Sequence, residues 1–270
     1  MKKNVLRRAF ATIAVMLAVT AVMSSCKSNW NTGMSGNIEY TQNELKARSF
    51  NKISVSLPCD VYYTQNDGDA CNVKVDYSGI DDPELVAELK EKVKVVYRQD
   101  GTVELGLKGR VRGLENSGKA NRLKVYITSP DLVELDNEGI GHVYAKSINS
   151  DRLEVTNEGV GSIEIINVLA NNIQLDNEGV GSIKVTRAKG DKLSVDNEGV
   201  GSTNIGSFSG GKVSLDNEGV GSISIVVDCQ SVNADNEGVG SIHLSGKTHT
   251  LTQDNEGVGR IHTSGLQVGK

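Results

Sequence analysis

The chain has 270 residues, of which 37% are hydrophobic and 23% are charged, and these fractions are typical of a folded, non-fibrous protein. Only 4% of the residues are aromatic while 30 are Gly, which favours many short strands and tight corners over a helical enzyme core. The formal net charge of −5 excludes nucleic acid as the partner, because phosphates require a surface rich in Lys and Arg.

The first 25 residues are predicted to form a signal peptide. A basic start at residues 2–8 is followed by an apolar run at residues 9–23, which is shorter than the roughly 20 residues of a membrane span. The small residues before Cys26 resemble a bacterial lipobox, and this resemblance implies that Cys26 carries a lipid anchor that attaches the protein to a membrane. Ordinary signal cleavage with a free Cys26 is the alternative.

Residues 26–37 are rich in Gly, Ser and Asn, a composition that predicts a flexible tether after the lipidated cysteine. Removal of residues 1–25 leaves 25 Lys and Arg against 34 Asp and Glu, so the mature chain has a net charge of −9. Cys59 and Cys71 flank a predicted turn at residues 66–69 of an exported chain, and they could form a disulfide or remain two buried thiols.

An internal repeat occupies the second half of the chain. The motif Asn-Glu-Gly-Val-Gly, with Ile once in place of Val, occurs seven times at a period of 19 or 20 residues. A fixed period near 20 residues predicts a solenoid whose turns stack only on their neighbours. Helical repeats need longer units and the leucine-rich consensus is missing, so the predicted fold is all-β, a parallel β-helix with coils of about 20 residues.

Alternation within one repeat predicts which side chains face the core, because successive residues of a strand point to opposite sides. Leu193, Val195 and Asn197 share the inward face, while Asp196 and Glu198 point outward. Each coil is predicted to contain two strands on either side of a Gly-Val-Gly corner, with a variable third side that returns the chain. We expect the Val or Ile of each corner to point inward.

Stacking of the repeats turns these positions into columns. The inward asparagines are predicted to form a structural ladder of hydrogen-bonded amides, comprising Asn137, Asn157, Asn177, Asn197, Asn217, Asn236 and Asn255. The outward Glu column comprises Glu138, Glu158, Glu178, Glu198, Glu218, Glu237 and Glu256. The outward Asp column beside it comprises Asp136, Asp176, Asp196, Asp216, Asp235 and Asp254, with Thr156 in the remaining repeat.

The chain is thus divided into a signal peptide (1–25), a lipidated Cys and tether (26–37), a strand-rich irregular region (38–130) and the regular repeats (131–270). The irregular region is expected to supply the wider first coils of the same β-helix. Asp82 and Pro83 resemble a helix N-cap followed by Pro at the first helical position, and they predict one short helix near residues 83–92, as an insertion or an end cap. Residues after 262 are too few for another coil, and we expect them to fold over the last coil or to meet another copy.

The segment from Ser49 to Val55, followed by strands, a short insertion and Gly-rich repeats, resembles the head GIN domain family of putative auto-transporter adhesins from Gram-negative lipoproteins. This resemblance covers residues 38–262. It implies a β-helix on the cell envelope with no established activity.

Three hypotheses about function follow. The first is a non-enzymatic, lipid-anchored envelope adhesin or scaffold that presents a repetitive acidic face to an unknown envelope, host or polysaccharide partner. The second is a module that binds cations, with Ca²⁺ suited to the hard carboxylate oxygens. The third, less favoured, is a polysaccharide-acting enzyme, because a catalytic site is singular whereas these carboxylates recur on seven coils. The face for a cation or partner comprises Asp176, Glu178, Asp196, Glu198, Asp216, Glu218, Asp235 and Glu237.

No residue is predicted to be catalytic and no cofactor other than Ca²⁺ is suggested. The expected location is the cell envelope, on the periplasmic face of the outer membrane or on the cell surface. Self-association of the chain is compatible with the sequence. His243 and His262 fall in one outward column. They could share a metal ion, or they could simply occupy exposed positions that tolerate many residue types.

Overall fold

The computed structural model describes residues 38–40, 49–111 and 123–269, with only the backbone of Ile38–Tyr40. These residues form one sheet of fifteen strands that winds into a parallel solenoid, with one helix. The prediction of a β-helix with coils of about 20 residues is confirmed. The elements are β1 (Ile38–Tyr40), β2 (Lys52–Val55), β3 (Asp60–Gln65), β4 (Asn72–Asp76), α1 (Pro83–Lys92), β5 (Val93–Tyr97), β6 (Thr102–Leu107), β7 (Lys124–Ser129), β8 (Glu134–Asn137), β9 (Ile140–Asn157), β10 (Val160–Asn177), β11 (Val180–Asn197), β12 (Val200–Asn217), β13 (Val220–Asn236), β14 (Val239–Asn255) and β15 (Val258–Val268).

Each repeat coil has three sides, all of which pair with the next coil. In β10 the paired segments are residues 160–165, 167–169 and 172–177, which we call side B, side C and side A, and the corresponding parts of the other coils keep these names. Side A ends at the ladder asparagine, and the glycine corner leads to side B. The expectation of only two strands in each coil is therefore wrong, because the variable third side, side C, is also a hydrogen-bonded strand.

Side C extends as a strand because it buries its own inward column, whose members differ in type but are all apolar. These residues are Ile148, Val168, Ala188, Phe208 and Val227, each at most 6% exposed. Variation from Ala to Phe hides the period in the sequence, although every member occupies the same position between two outward neighbours. The core of the solenoid is thus enclosed by three sides that each contribute inward apolar residues, and not by two.

The upstream strands join the same sheet in an order that differs from their order along the chain. β2 pairs in parallel with both β6 and β8, and β3 pairs in parallel with both β7 and β9. The coil built from β2 and β3 therefore lies between the β6–β7 coil and the first repeat coil. The chain leaves the first coil it makes, forms a coil beneath it, and then returns to start the repeats on top.

Helix α1 belongs to the segment that closes the N-terminal end. β4 and β5 pair antiparallel with β7 and β6, and the helix connects them. The Asp82 carboxylate caps the helix by accepting hydrogen bonds from the backbone N–H groups of Glu84 and Leu85, and Leu85 and Leu89 are buried. The predicted helix at residues 83–92 is confirmed. Within the described residues, no helix is long and apolar enough to cross a membrane.

The last residues extend the solenoid instead of folding over it. Gly265–Val268 of β15 pair in parallel with Ser245–Thr248 of β14, as the side C of a shorter seventh coil. The expectation of a tail folded over the last coil is therefore wrong for these residues, because their backbone groups find partners along β14.

Candidate functional site

The ladder asparagines are joined by a continuous row of side-chain hydrogen bonds. Each Nδ2 donates to the Oδ1 of the next coil, over distances of 2.7 to 2.9 Å from Asn137 to Asn255. The members from Asn137 to Asn236 are at most 2% exposed, whereas Asn255 is exposed. Each buried amide donates to the next coil and accepts from the previous one. The row therefore supplies hydrogen-bond partners to polar groups whose burial would otherwise be costly.

The backbone at the ladder fixes the corner that follows. The carbonyl oxygen of Asn177 accepts hydrogen bonds from the N–H groups of both Glu198 and Gly199, at 3.1 and 2.8 Å. A Cβ at Gly201 would overlap the carbonyl oxygen of Gly181 in the coil below, so two backbones meet here at a distance that only glycine permits. The same overlap recurs at the second glycine of the other repeat corners.

The Val or Ile of each corner points outward, so the expectation of an inward corner residue is wrong. Alternation continues through the corner, which places the first glycine inward and the next side chain outside. Ile140, Val160, Val239 and Val258 are 40% to 57% exposed, and Val180, Val200 and Val220 are half-buried. A corner column of aliphatic side chains therefore runs beside the Glu column.

The Asp column of side A and the Glu column that directly follows the ladder asparagines form what we call the acidic face. Every member of the Glu column is exposed, and the Asp column is half-buried from Asp136 to Asp235 and exposed at Asp254. Glu134 and Glu154 add carboxylates to the same side in the first two rungs. The spacing of about 4.8 Å between coils holds like charges close together along the whole face.

The pKa values of several Asp carboxyls are raised by burial and by the neighbouring negative charges. Burial, together with the charges of Glu138 and Glu158, raises the pKa of Asp136 to about 8. Burial, followed by the charges of Glu198 and Asp216, raises the pKa of Asp196 to about 6. One oxygen of each of Asp136, Asp196 and Asp216 is buried without a hydrogen-bond partner among the described residues.

The remaining contacts of the acidic face lie mostly at its ends. Lys52 of β2 forms an ion pair with Glu134 at 2.8 Å, and Gln174 donates a hydrogen bond to Asp176 at 2.8 Å. Burial raises the pKa of Glu158, with the charges of Glu138 and Glu178 acting in the same direction. The central Glu carboxylates are exposed to solvent, next to the half-buried Asp carboxylates.

The acidic and histidine side chains lie in rows along the solenoid. Among residues 49–111 and 123–269, no group of three or more His, Cys, Asp or Glu side chains is arranged to hold a metal ion. His243 and His262 lie in one outward column of side B, with their rings stacked 4.6 Å apart and inclined by 9°. Neighbouring rungs therefore align the carboxylates and imidazoles in rows, and do not arrange them around a common centre.

Cys59 and Cys71 are free and buried, so the disulfide expectation gives way to its alternative, two buried thiols. Cys59 immediately precedes β3, next to the start of β7, whereas Cys71 precedes antiparallel β4, next to the end of β7. The length of β7 separates the two residues, and a disulfide needs Cα atoms within about 7 Å. Cys26 and the tether lie outside the described residues.

Sequence reasoning missed a row of tyrosines on side B. Tyr62 of β3 lies between Tyr126 of β7 and Tyr144 of β9, with ring centroids 5.3 and 6.4 Å apart. Tyr126 and Tyr144 are 39% and 38% exposed. The three residues are far apart in the chain, and only the inverted stacking order of the first coils brings them together. The signal was present in the matching Val-Tyr dipeptides at residues 61–62, 125–126 and 143–144.

The fold and its periodic surface define the chain as a parallel β-solenoid with one closed end. Its sequence matches, over residues 49–227, the family described as "Putative auto-transporter adhesin, head GIN domain". The chain belongs to this family, as the resemblance in its sequence implied. A comparison with curated proteins gives no match.

Solved structures share the fold. A putative adhesin from Bacteroides fragilis NCTC 9343 has 24% identity and a TM-score of 0.66, covering 84% of this chain and 95% of its own. A putative adhesin from Parabacteroides distasonis ATCC 8503 has 18% identity and a TM-score of 0.53, covering 86% and 97%. A putative adhesin from Parabacteroides merdae ATCC 43184 has 16% identity and a TM-score of 0.52, covering 86% and 96%.

Proposed function

We propose that the protein is a non-enzymatic, lipid-anchored adhesin or scaffold of the cell envelope that binds a cationic partner through its acidic face. The observation that carries the proposal is the Glu column, whose seven members are all exposed and aligned along one side. A rigid row of like charges favours a partner whose positive charges are also repeated, because each rung adds a similar attraction.

The aliphatic corner column adds an uncharged strip to the same surface. A partner that covers Val160 or Val239 would remove apolar area from water while its cations approach the carboxylates of the neighbouring Glu158 or Glu237. The repetition also supports a non-enzymatic role, since the Glu column recurs on all seven rungs, whereas a catalytic site is a single feature.

The proposal is tested with immobilised decalysine as a cationic probe. The full chain, purified in detergent, is compared with the triple variant Glu178→Gln/Glu198→Gln/Glu218→Gln at increasing salt. The matched control is Asp67→Asn/Asp69→Asn/Glu91→Gln, which removes equally many exposed charges away from the acidic face. We expect the column variant to elute at a clearly lower salt concentration than the control, because adjacent charges act together.

Equal elution of the two variants would mean that the probe senses net charge alone, and the acidic face would then lose its special role. Location is tested separately, by protease treatment of intact cells. Release of the folded body from whole cells favours an adhesin on the surface, whereas protection favours a scaffold on the periplasmic side.

Cation binding is the second candidate, and the unpartnered Asp oxygens are the observation in its favour. A divalent ion bridging successive rungs would relieve the repulsion that raises the pKa of Asp196. If this is the function, millimolar Ca²⁺ should raise the melting temperature more than NaCl of equal ionic strength, and the Glu178→Gln/Glu198→Gln/Glu218→Gln variant should lose that difference. The absence of any such difference would leave only the partner-binding role.

A further inference from the structure

A groove of about 580 Å³ runs along the solenoid axis where side C turns into side A. It crosses four consecutive coils, from β9 to β12, and therefore extends over roughly 14 Å. Its size lies within the range of small-ligand sites, about 300 to 1,000 Å³. The groove lies outside the acidic face, so a ligand bound there is independent of the proposed function.

The groove exists because its floor is made of small residues. Ser150, Ala170, Gly190 and Gly210 occupy one column, in which a Cβ at Gly190 or Gly210 would overlap the carbonyl oxygen of the coil below. The outward residues before and after this column form two walls. Backbone pairing between coils continues on both sides of the floor, at residues 189–190 and 192 of β11, so no free strand edge is offered there.

The walls carry hydrogen-bonding groups of every type. One wall presents the Asn149 amide and the Lys189 ammonium, and the other presents the Asn171 amide between the carboxylates of Asp151 and Asp191. Carboxylates only accept hydrogen bonds, an ammonium only donates them, and amides do both. The Oγ of Ser150, in the floor, is buried without a partner among the described residues.

One apolar side chain interrupts the polar lining. Leu169 is 48% exposed and lies in the wall between Asn149 and Lys189. A ligand that matches this lining must have many groups that both donate and accept hydrogen bonds, together with a small C–H surface for Leu169. Hydroxyl groups on a pyranose ring have this character, and the straight groove fits a chain of such rings.

Other ligand classes match the groove poorly. A peptide added as a strand requires a free strand edge, and the pairing at the floor leaves none. A lipid needs far more apolar surface than Leu169 offers, and the two carboxylates oppose a phosphate. Asp151 and Asp191 lie two coils apart, at roughly 9.6 Å, which is too far for both to bind one metal ion.

We propose that this groove binds a linear oligosaccharide whose long axis follows the solenoid axis. Asn171 and Asp191 would bond ring hydroxyls from one wall and Lys189 from the other, while Leu169 contacts the C–H face of a ring. The recurrence of similar groups on successive coils suits a ligand that is itself a repeating chain.

The test uses ligand-observed saturation-transfer NMR on the full chain in detergent, with empty micelles as the blank. The probes are four tetrasaccharides at millimolar concentration, composed of β-1,4-linked glucose, β-1,4-linked N-acetylglucosamine, α-1,4-linked glucose and β-1,3-linked glucose. We expect at least one to receive saturation from the protein, and its dissociation constant to rise by at least about tenfold in Asn171→Ala/Asp191→Ala. The matched control is Asp67→Ala/Asp69→Ala, two exposed Asp residues between β3 and β4 that do not line the groove, and it should leave the constant unchanged.

Three results would overturn the proposal. The first is no transfer to any of the four probes. The second is binding that persists in Asn171→Ala/Asp191→Ala but is lost in Tyr62→Ala, which would place the sugar on the tyrosine row of side B. The third is displacement of the bound tetrasaccharide by an unstructured Ser-rich peptide at equal concentration, which would show that the groove does not prefer sugars. Circular dichroism of each variant shows whether the fold is retained.

Discussion

The side-chain amide of Asn197 donates a hydrogen bond to the Oδ1 of Asn217 over 2.7 Å, and both residues are fully buried. Substitution of Asn197 by Ala leaves the amide groups of Asn177 and Asn217 each without one partner. We expect Asn197→Ala to lower the free energy of unfolding by about 1–3 kcal/mol. Glu198→Ala is the matched control, because this neighbour points to solvent, and it should change stability by less than about 0.5 kcal/mol. Urea unfolding measures both, and the reverse order would contradict the ladder.

The corner offers a second matched pair. Gly201→Ala forces a Cβ into the carbonyl oxygen of Gly181, so the coils must separate locally. We expect the free energy of unfolding to fall by about 4 kcal/mol or more, or the variant to fail to fold, because the backbone conflict cannot be relieved by moving a side chain. Val200→Ala, one residue earlier, removes a half-buried outward side chain and should cost about 1 kcal/mol or less. Similar losses in thermal melts of the two variants would argue against the close backbone approach.

Thr203 gives a stabilising substitution. It is fully buried in the side B column otherwise occupied by Val143, Ile163, Ile183 and Ile223, and its Oγ1 lacks a partner among the described residues. Thr203→Val removes the unpaired hydroxyl at nearly constant volume, and we expect it to raise the free energy of unfolding by about 1 kcal/mol. Thr203→Ser keeps the hydroxyl and loses the methyl group, so it should be destabilising. A lower denaturation midpoint for Thr203→Val would show that the hydroxyl has a partner after all.

Stability should depend on pH through the Asp column. Asp136 and Asp196 have pKa values of about 8 and about 6 in the folded protein, compared with about 3.9 in an unfolded chain. Between these values the folded state holds protons that the unfolded state releases, so a rise in pH favours unfolding. We expect the melting temperature to fall as the pH rises from about 4 to about 8, with Asp196 contributing only up to about 6.

The double variant Asp136→Asn/Asp196→Asn should flatten this dependence and be more stable than the wild type at the alkaline end. Asp254→Asn, at the exposed end of the same column, is the control and should leave the profile unchanged. A wild-type profile that rises with pH in this range would mean that the two carboxyls are better solvated than their burial indicates.

Lipidation of Cys26 is tested by labelling cells with an alkyne-modified fatty acid. The wild-type chain should be labelled and should sediment with membranes, whereas Cys26→Ala should be neither labelled nor retained. Cys229→Ala serves as a control for nonspecific thiol acylation. Equal labelling of wild type and Cys26→Ala would indicate ordinary signal cleavage.

The repeat made much of the fold predictable. Alternation through Leu193, Val195 and Asn197 gives the inward side of the regular coils directly, and Asp82 with Pro83 gives the start of the helix. The corner Val was misplaced, because two glycines suggest an interruption of alternation, whereas the backbone continues through Gly199 with the alternation intact.

The tyrosine row and the groove could not be predicted, because both depend on contacts between segments that are distant in the chain. The tyrosine row requires β3 to lie between β7 and β9, and nothing local in residues 60–65 specifies two partners from later in the chain. The groove arises from the absence of side chains at Gly190 and Gly210, which in a linear sequence are indistinguishable from turn glycines. In both cases the position of a residue is set by its neighbours across coils, and these are fixed only when the solenoid has formed.

The length of this molecule is adjustable, because each repeat coil makes the same contacts with its neighbours. The closed end, formed by α1, β4 and β5, takes no part in those contacts. A twenty-residue unit duplicated between Asn197 and Glu198 would meet the same amide, the same pair of glycines and the same inward apolar residues on all three sides. The solenoid would grow by about 4.8 Å and gain one more Asp and Glu, with no change to the closed end. Duplication or deletion of repeats would therefore change the length of the solenoid and its negative charge together, in steps of one coil.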